Sequence, residues 1–228
     1  MKVYAINGSP RKNQNTAKLL QKALDGVKES AKDQEVETKI INLYDLNFTG
    51  CISCFACKRL DGKSYGKCAV KDDLYEILNE VSQADGIILG SPIYFLNITG
   101  ELKSFLERLL FPYIAYTPNH PSIAPKRMPT AFIYTMGATE EMMNDTNFAA
   151  AFKLQGISIL TTLNVMETWI ELTLTKPEVM HSYDTYQFDD YSKYKASMFS
   201  EEEKAEHRRV QFPLDCQKAF ELGANLIK

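Results

Sequence analysis

A polar loop near the start of the chain combines side chains that suit the binding of a phosphate group. The loop of residues 8–16 includes hydroxyls at Ser9 and Thr16, amides at Asn13 and Asn15, and a guanidinium at Arg11. An arginine can donate to two phosphate oxygens at once, and a helix N-terminus adds free N–H groups and the positive end of a dipole. The loop therefore predicts an anion site, and an ordinary polar turn that caps a helix is the alternative.

The loop lacks the patterns of several common phosphate sites. The sequence contains no G-x-x-x-x-G-K-[S/T] run, no G-x-G-x-x-G run and no cysteine followed by an arginine six positions later. These absences disfavour a P-loop nucleotidase, a dinucleotide-binding fold and a cysteine-dependent phosphatase.

A second loop carries chemistry suited to a flat heteroaromatic ring. Residues 91–100 follow an apolar run and contain a proline and two adjacent aromatic residues, Tyr94 and Phe95. The aromatic side chains offer apolar faces, and the backbone N–H groups of residues 93–95 can reach ring nitrogens. Alternatively, these aromatic residues only fill the space between a strand and a helix.

Together the two loops resemble the NADPH-dependent FMN reductase family of flavodoxin-like proteins. The resemblance covers roughly residues 1–137 and depends on Gly8-Ser9-Pro10-Arg11, Asn15-Thr16, Ser91-Pro92-Ile93-Tyr94, Gly100 and the helix 102–108. It implies that the FMN phosphate is bound by Ser9, Arg11, Asn13, Asn15 and Thr16. It implies that the isoalloxazine ring is contacted by Pro92, Ile93, Tyr94, Phe95 and Asn97, and from its other side by Thr135, Met136 and Gly137.

The resemblance also implies an activity and an assembly. FMN would accept electrons from NAD(P)H, as a transient co-substrate, and pass them to a small acceptor such as a flavin or a quinone. The family usually forms homodimers or homotetramers. No side chain is compelled to act as an acid or base, so the sequence predicts no catalytic residue. The alternatives are an FMN electron carrier that serves protein partners and a non-redox binding module that holds structural zinc.

Four of the five cysteines lie close together in the sequence. Cys51, Cys54 and Cys57 form a C-x2-C-x2-C pattern, and ten residues separate Cys57 from Cys68. Residues 50–73 resemble the iron-sulfur flavoprotein branch of the same family, in which four such cysteines hold a [4Fe-4S] cluster. The last gap is longer here, so a cluster is possible but not favoured, and no metal ligand is assigned. Zinc, free thiols and simple packing are the alternatives.

Alternating apolar runs and helical patterns predict the fold that must position these loops. We expect an α/β, flavodoxin-like, doubly wound sheet of five parallel strands in the order 2-1-3-4-5, with helices on both faces. The fifth strand is expected between Val165 and Leu174, with Trp169 in the core. A final helix is expected over residues 201–228, bent at Pro213. Residues 1–228 are predicted to form one domain.

Residues from about 180 to 228 are expected to be a C-terminal extension of this domain. Residues 181–200 contain many aromatic residues among polar ones, and we refer to this segment as the aromatic arm. The arm is interpreted as a flap that walls the flavin and packs on a neighbouring subunit. An irregular excursion over its own domain is the alternative.

The overall composition excludes several other functions. The chain has 228 residues and a formal net charge of -3, which gives no general attraction to nucleic acid or to anionic membranes. We expect a cytoplasmic protein with no membrane partner, because no apolar run reaches the length of a membrane span and no secretory leader is evident. The three histidines are isolated in sequence and are expected at the surface.

Overall fold

Five parallel strands form one sheet in the order β2-β1-β3-β4-β5 in the computed structural model, which describes residues 1–32, 34–154 and 156–228. The predicted flavodoxin-like order is confirmed. The strands are β1 (Lys2–Asn7), β2 (Glu37–Asn42), β3 (Gly86–Pro92), β4 (Thr130–Thr135) and β5 (Glu178–Ser182). The helices are α1 (Asn15–Ala31), α2 (Leu74–Ser82), α3 (Gly100–Leu110), α4 (Glu140–Asn144), α5 (Thr146–Ala150), α6 (Ile159–Thr173) and α7 (Glu201–Leu226).

Alternation along the buried strands divides the core between the two faces of the sheet. In β1, Val3 and Ala5 pack with α1 and α7, whereas Tyr4 and Ile6 pack with α2, α3 and α6. Successive side chains of a strand point to opposite faces, so both faces of β1 are covered by helices. Within the described ranges, no helix is both long and apolar enough to cross a lipid bilayer.

Two glycines allow α1 and α7 to approach each other closely. A Cβ atom added at Gly26 would lie 1.9 Å from the carbonyl oxygen of Phe220, and one added at Gly223 would lie 1.8 Å from that of Ala23. Both distances are far below van der Waals contact. The final helix therefore packs closely against the first.

The predicted fifth strand is wrong. Residues 165–174 belong to α6 and its C-terminal cap, and β5 begins only after Pro177. The segment contains several large apolar residues and is rich in β-branched residues, so it resembles a strand. Its buried residues nevertheless recur every three or four positions, as in a helix: Ile159, Leu163, Met166, Ile170 and Thr173. Trp169 lies on the outer side of α6 with 42% of its surface exposed, not in the core.

His181 is not a surface residue. It lies in β5 and stacks between Tyr134 and Tyr183, with ring centroids 5.3 and 5.6 Å away. Burial lowers the pKa of His181, so the imidazole is held in its neutral form. His120 is exposed, as expected. Pro213 lies inside α7, which continues on both sides of it.

The close contact of α1 and α7 predicts that a glycine-to-alanine substitution, which usually stabilises a helix, destabilises this protein. Glycine to alanine in a helix normally stabilises by about 1 kcal/mol. At Gly223 the new methyl group would collide with the backbone of α1, so we expect Gly223→Ala to lower the free energy of unfolding by about 1–3 kcal/mol. The measurement is chemical denaturation followed by circular dichroism.

Gly100 provides the matched control. It is the first residue of α3, and a Cβ atom added there would meet nothing within 4 Å. Gly100→Ala should leave the stability unchanged or raise it. Equal stabilisation by both substitutions would contradict the close packing of the two helices.

Candidate functional site

The shape of the first loop is held by short side-chain-to-backbone hydrogen bonds. Asn7 Oδ1 accepts from the N–H of Ser9 (3.0 Å), and Ser9 Oγ accepts from the N–H of Arg11 (3.1 Å). The N–H of Gly8 donates to the carbonyl oxygen of Gly90 (2.8 Å), and a Cβ atom at Gly8 would lie 2.8 Å from Leu102 Cβ. The loop after β1 is therefore pressed against β3 and α3, and only glycine fits at its first position.

The loop leads directly into the N-terminus of α1. The helix begins at Asn15, and Gln14 occupies the capping position. Among the described residues, no side chain caps this end, and its first turn contains no acidic residue. The first backbone N–H groups and the positive end of the dipole are thus available to an anion. Thr16 is buried and its hydroxyl bonds that of Thr135 at the end of β4 (2.8 Å).

The second loop forms a tight, strained turn at its tip. Tyr94 and Asn97 exchange backbone hydrogen bonds of 2.8 and 3.0 Å, and the two residues between them have positive φ angles, 48° at Phe95 and 64° at Leu96. Such angles are costly for residues with a Cβ atom, and strain of this kind often occurs at functional sites. The turn places the Phe95 ring in full exposure at the tip.

Two of the N–H groups that the sequence assigns to a ring are already engaged. The N–H of Ile93 donates to the carbonyl oxygen of Thr135 (2.9 Å), and that of Tyr94 donates to Asn97. These bonds shape the second loop and attach it to the end of β4. Contact with a ring by this loop would therefore involve side chains and the Phe95 backbone more than the N–H groups of Ile93 and Tyr94.

Most of the predicted flavin-binding residues line one cleft of about 150 Å³ at the carboxyl ends of β1, β3 and β4. They are Ser9, Arg11, Asn15, Thr16, Pro92, Ile93, Tyr94, Thr135, Met136 and Gly137. Phe95 lines an adjoining cleft instead. Asn13 lines neither, and the Asn97 side chain turns away and accepts from the N–H of Ile98 (2.8 Å).

The aromatic arm forms the remaining wall of this cleft. The arm residues at the cleft are Thr185, Tyr186, Gln187 and Phe188. The sequence did not assign these residues to the site individually. It also missed Gln14, which lines the cleft from the loop after β1. Arg11 donates from Nη1 to the carbonyl oxygen of Gln187, and Asn15 Nδ2 donates to that of Tyr186 (3.0 Å). The arm thus packs over the loop after β1 of its own chain. Its density of aromatic residues was the only signal of this role.

A buried lysine fixes the arm beside the loop after β4. Lys204 of α7 is 1% exposed, and its Nζ donates to the carbonyl oxygen of Gly137 (2.9 Å) and to Asp184 Oδ1 (2.6 Å). The same ammonium lies 4.4 Å from the centroid of the Phe199 ring. A charge at this depth requires such partners, so Lys204 links the arm, α7 and the cleft.

A larger apolar cleft adjoins the first. It has a volume of about 510 Å³. It shares Ile93, Met136, Gly137 and Gln187 with the first cleft, at the carboxyl ends of β1, β3 and β4. Its other walls are mostly methionine and phenylalanine side chains: Phe95, Met142, Met143, Phe148, Phe152, Met198 and Phe199. A polar pocket at a helix N-terminus therefore opens onto an apolar space, which matches a ligand with a phosphate at one end and a flat ring at the other.

The four clustered cysteines line a separate narrow cleft beside α3. Cys51 and Cys54 are exposed, Cys57 is buried and Cys68 is half-buried, and burial raises the pKa of the Cys57 thiol. Gly66 adopts a left-handed conformation (φ 73°), and its N–H donates to the carbonyl oxygen of Cys57 (3.0 Å). This turn brings Cys68 back to the other three, despite the longer gap between them.

Two adjacent residues of α3 form hydrogen bonds with the two ends of the segment from Cys51 to Cys68, the cysteine segment. Glu107 Oε2 accepts from the N–H of Cys51 (3.3 Å). Arg108, which is 2% exposed, donates from Nε to Cys68 Sγ (3.3 Å). It also forms an ion pair with Asp72. Burial alone would raise the pKa of Asp72, but the hydrogen bond and charge of Arg108 lower it overall.

Comparisons with known proteins give a family and a set of relatives. The sequence model of the NADPH-dependent FMN reductase family matches residues 1–152. An iron-sulfur flavoprotein of Methanocaldococcus jannaschii is 43% identical over 108 residues, which is 47% of this chain and 51% of that protein. One from Archaeoglobus fulgidus is 35% identical over 149 residues, 64% of this chain and 61% of that protein. The chain thus aligns with about half the length of the relatives it matches.

Solved structures share the fold at low sequence identity. An NAD(P)H:quinone oxidoreductase from Methanothermobacter marburgensis has a TM-score of 0.64 and 15% identity, covering 100% of this chain and 98% of that one. An FMN-dependent NADH-azoreductase from Bacillus anthracis, solved with FMN, has a TM-score of 0.63 and 15% identity, covering 100% of both chains. Because the family model spans both loops of the cleft, the chain belongs to the NADPH-dependent FMN reductase family.

Proposed function

We propose that the chain binds FMN in the two adjoining clefts and uses it to carry electrons from NAD(P)H to a small acceptor such as a flavin or a quinone. The observation that supports this most strongly is the convergence of the loops after β1, β3 and β4 with the aromatic arm on one polar-to-apolar cavity. The FMN-dependent azoreductase and the quinone oxidoreductase of the same fold agree with this proposal.

The polar end of the cavity suits a dianionic phosphate. Arg11 supplies the positive charge, Ser9 and Thr16 supply hydroxyls, and the uncapped start of α1 supplies backbone N–H groups. The Arg11 side chain donates to an arm carbonyl, so a phosphate would find the guanidinium already held at the edge of the cleft. Such preorganisation reduces the entropy lost on binding.

The apolar end suits an isoalloxazine ring and its electron acceptor. When bound, FMN supplies the two-electron chemistry, and the chain binds it, orients it and excludes water. Among the described residues that line the two clefts, there is no Asp, Glu, His, Lys or Cys. Tyr94 and Tyr186 carry hydroxyls at the cleft, but nothing aims either at a reacting atom, and we assign no acid or base to the chain.

Replacement of Arg11 tests the phosphate site. A charge-assisted hydrogen bond contributes about 1.5–3 kcal/mol, so Arg11→Met should weaken FMN binding roughly 10- to 150-fold. The dissociation constant is measured by quenching of flavin fluorescence. Asn13→Ala, which changes a residue outside the cleft, should leave the affinity unchanged. Riboflavin has no phosphate, so its affinity should be the same for Arg11→Met and wild type; equal losses for both flavins would contradict the assignment.

Anaerobic mixing with nicotinamide separates a reductase from an electron carrier. If the chain is a reductase, NADPH or NADH alone should bleach the bound flavin at a rate of about 1–1,000 per second. Stopped-flow absorbance measures this rate, and dithionite provides the control for complete reduction. Flavin that dithionite bleaches but neither nucleotide does would favour a carrier that serves protein partners.

We further propose that Cys51, Cys54, Cys57 and Cys68 hold a [4Fe-4S] cluster. They line a single cleft, and the relatives named above are iron-sulfur flavoproteins. Within the described ranges, no three metal-binding side chains converge on one ion. A [4Fe-4S] cluster does not require such convergence. Each of its four irons takes one cysteine thiolate, so the four cysteine sulfurs lie around the cluster and not around a single ion. The set of four thiol donors at one cleft therefore favours a cluster over a single zinc ion.

Iron analysis of two cysteine variants tests this site. Anaerobically purified wild type should contain about four irons and four sulfides per chain, as expected for this cluster type. Cys57→Ala should lose most of the iron and the broad visible absorption. Cys216→Ala is the matched control, since Cys216 lies in α7 away from the cleft, and it should retain both. Stoichiometric zinc, or equal iron in both variants, would overturn the proposal.

A further inference from the structure

Arg108 is the most deeply buried charged group beside the cysteines. Its side chain is fully buried in the middle of the hydrogen-bonding network that joins α3 to the cysteine segment. Nη1 donates to the carbonyl oxygen of Thr49 (3.0 Å) and to Asp72, and Nη2 donates to the carbonyl oxygen of Val70 (2.9 Å). Nε donates to Cys68 Sγ. The first three bonds explain how the loop is held, but they leave open what the bond to sulfur contributes.

The bond to Cys68 aims a permanent positive charge at a thiol group. Arginine stays protonated at any physiological pH, so the Nε–H cannot be lost and the charge cannot be switched off. Arg108 is 2% exposed, and a buried charge acts more strongly than a charge at the surface. Asp72 is the carboxylate that pairs with Arg108, and it lies on the side away from Nε, on Nη1. The sulfur therefore faces the donor edge of the guanidinium.

We propose that Arg108 is a positioning residue that raises the reduction potential of the [4Fe-4S] cluster through its hydrogen bond to Cys68. This inference rests on the proposed cluster. When bound, the cluster would supply one-electron chemistry, and its reduced form would carry one more negative charge, which the Nε–H and the positive charge of Arg108 at the Cys68 ligand would favour. Arg108 itself gains and loses no proton or electron in this step. Hydrogen bonds to the sulfurs are among the factors that set such potentials.

The position of Arg108 follows from the helix that carries it. α3 begins at Gly100 beside the second loop, and Thr99 caps it while donating to the carbonyl oxygen of Gly8 in the phosphate loop (2.7 Å). Arg108 lies eight residues further on, about 12 Å along the helix axis at 1.5 Å per residue. One rigid element therefore fixes the cysteine site relative to the flavin cleft, and Arg108 acts at its far end.

The test is a redox titration of the cluster in the full-length protein, followed by electron paramagnetic resonance. Arg108→Gln removes the charge, and we expect at least tenfold less reduced cluster at a given solution potential, a shift of about 59 mV to lower values. Arg108→Lys keeps the charge but loses the Nε–H, so its shift should have the same sign and a smaller size. Resonance Raman should show altered Fe–S stretching frequencies in both variants.

Lys71→Met provides the matched control. Lys71 is an exposed cation three residues from Cys68, and its charge is screened by solvent. Its removal should leave the potential unchanged. If Lys71→Met lowered the reduction potential as much as Arg108→Gln does, the shift would come from overall charge. The proposed role of the Arg108 hydrogen bond would then be wrong.

Iron content distinguishes failure of this inference from failure of the cluster proposal. Wild type without iron overturns the cluster, and the inference with it. Loaded Arg108 variants with unchanged potentials overturn this inference alone. If Arg108→Gln loses the cluster, Arg108→Lys supplies the measurement. Loss of iron from Arg108→Lys as well would mean that Arg108 only holds the loop.

Discussion

One hydroxyl joins the parts of this molecule on which its chemistry depends. Thr99 Oγ1 donates to the carbonyl oxygen of Gly8 in the loop after β1, and it accepts from the N–H of Leu102 to start α3. The N–H of Thr99 in turn donates to Ser91 Oγ at the end of β3 (3.1 Å). Two strand ends and one helix start therefore share a buried hydrogen-bond network, which has a defined geometry only when every member is paired.

The consequences extend in two directions from this network. At the carboxyl ends of the strands, the loops after β1 and β3 stay close enough to form one cleft. The hydrogen bond between Thr16 and Thr135 adds the end of β4 to this cleft. Along α3, the helix carries Glu107 and Arg108 to the cysteine segment, where they hold both of its ends. The cleft at the strand ends and the cysteine cleft are thus connected through α3.

The aromatic arm completes the cleft from the C-terminal side of the chain. It is tethered by the Lys204–Asp184 ion pair and by bonds from Arg11 and Asn15 to its carbonyl oxygens. α7, which follows the arm, is locked to α1 at Gly26 and Gly223. α1 starts at the end of the loop after β1, and through α7 it also supports the aromatic arm that covers this loop. Whether the arm contacts a second subunit stays a prediction.

The sequence by itself determined the sheet order, the two loops and most of the cleft. Apolar runs, a glycine-led turn and a helix start are local features, and the flavodoxin-like topology places their strand ends side by side. It did not determine the fifth strand, because a segment such as residues 165–174, which mixes large apolar and β-branched residues, satisfies both the helix and the strand pattern. Only the tertiary structure decided that Asn13 and Asn97 lie outside the cleft, that the arm covers it and that Arg108 reaches Cys68. These contacts join residues far apart in the chain, and they depend on side-chain directions that no local pattern encodes.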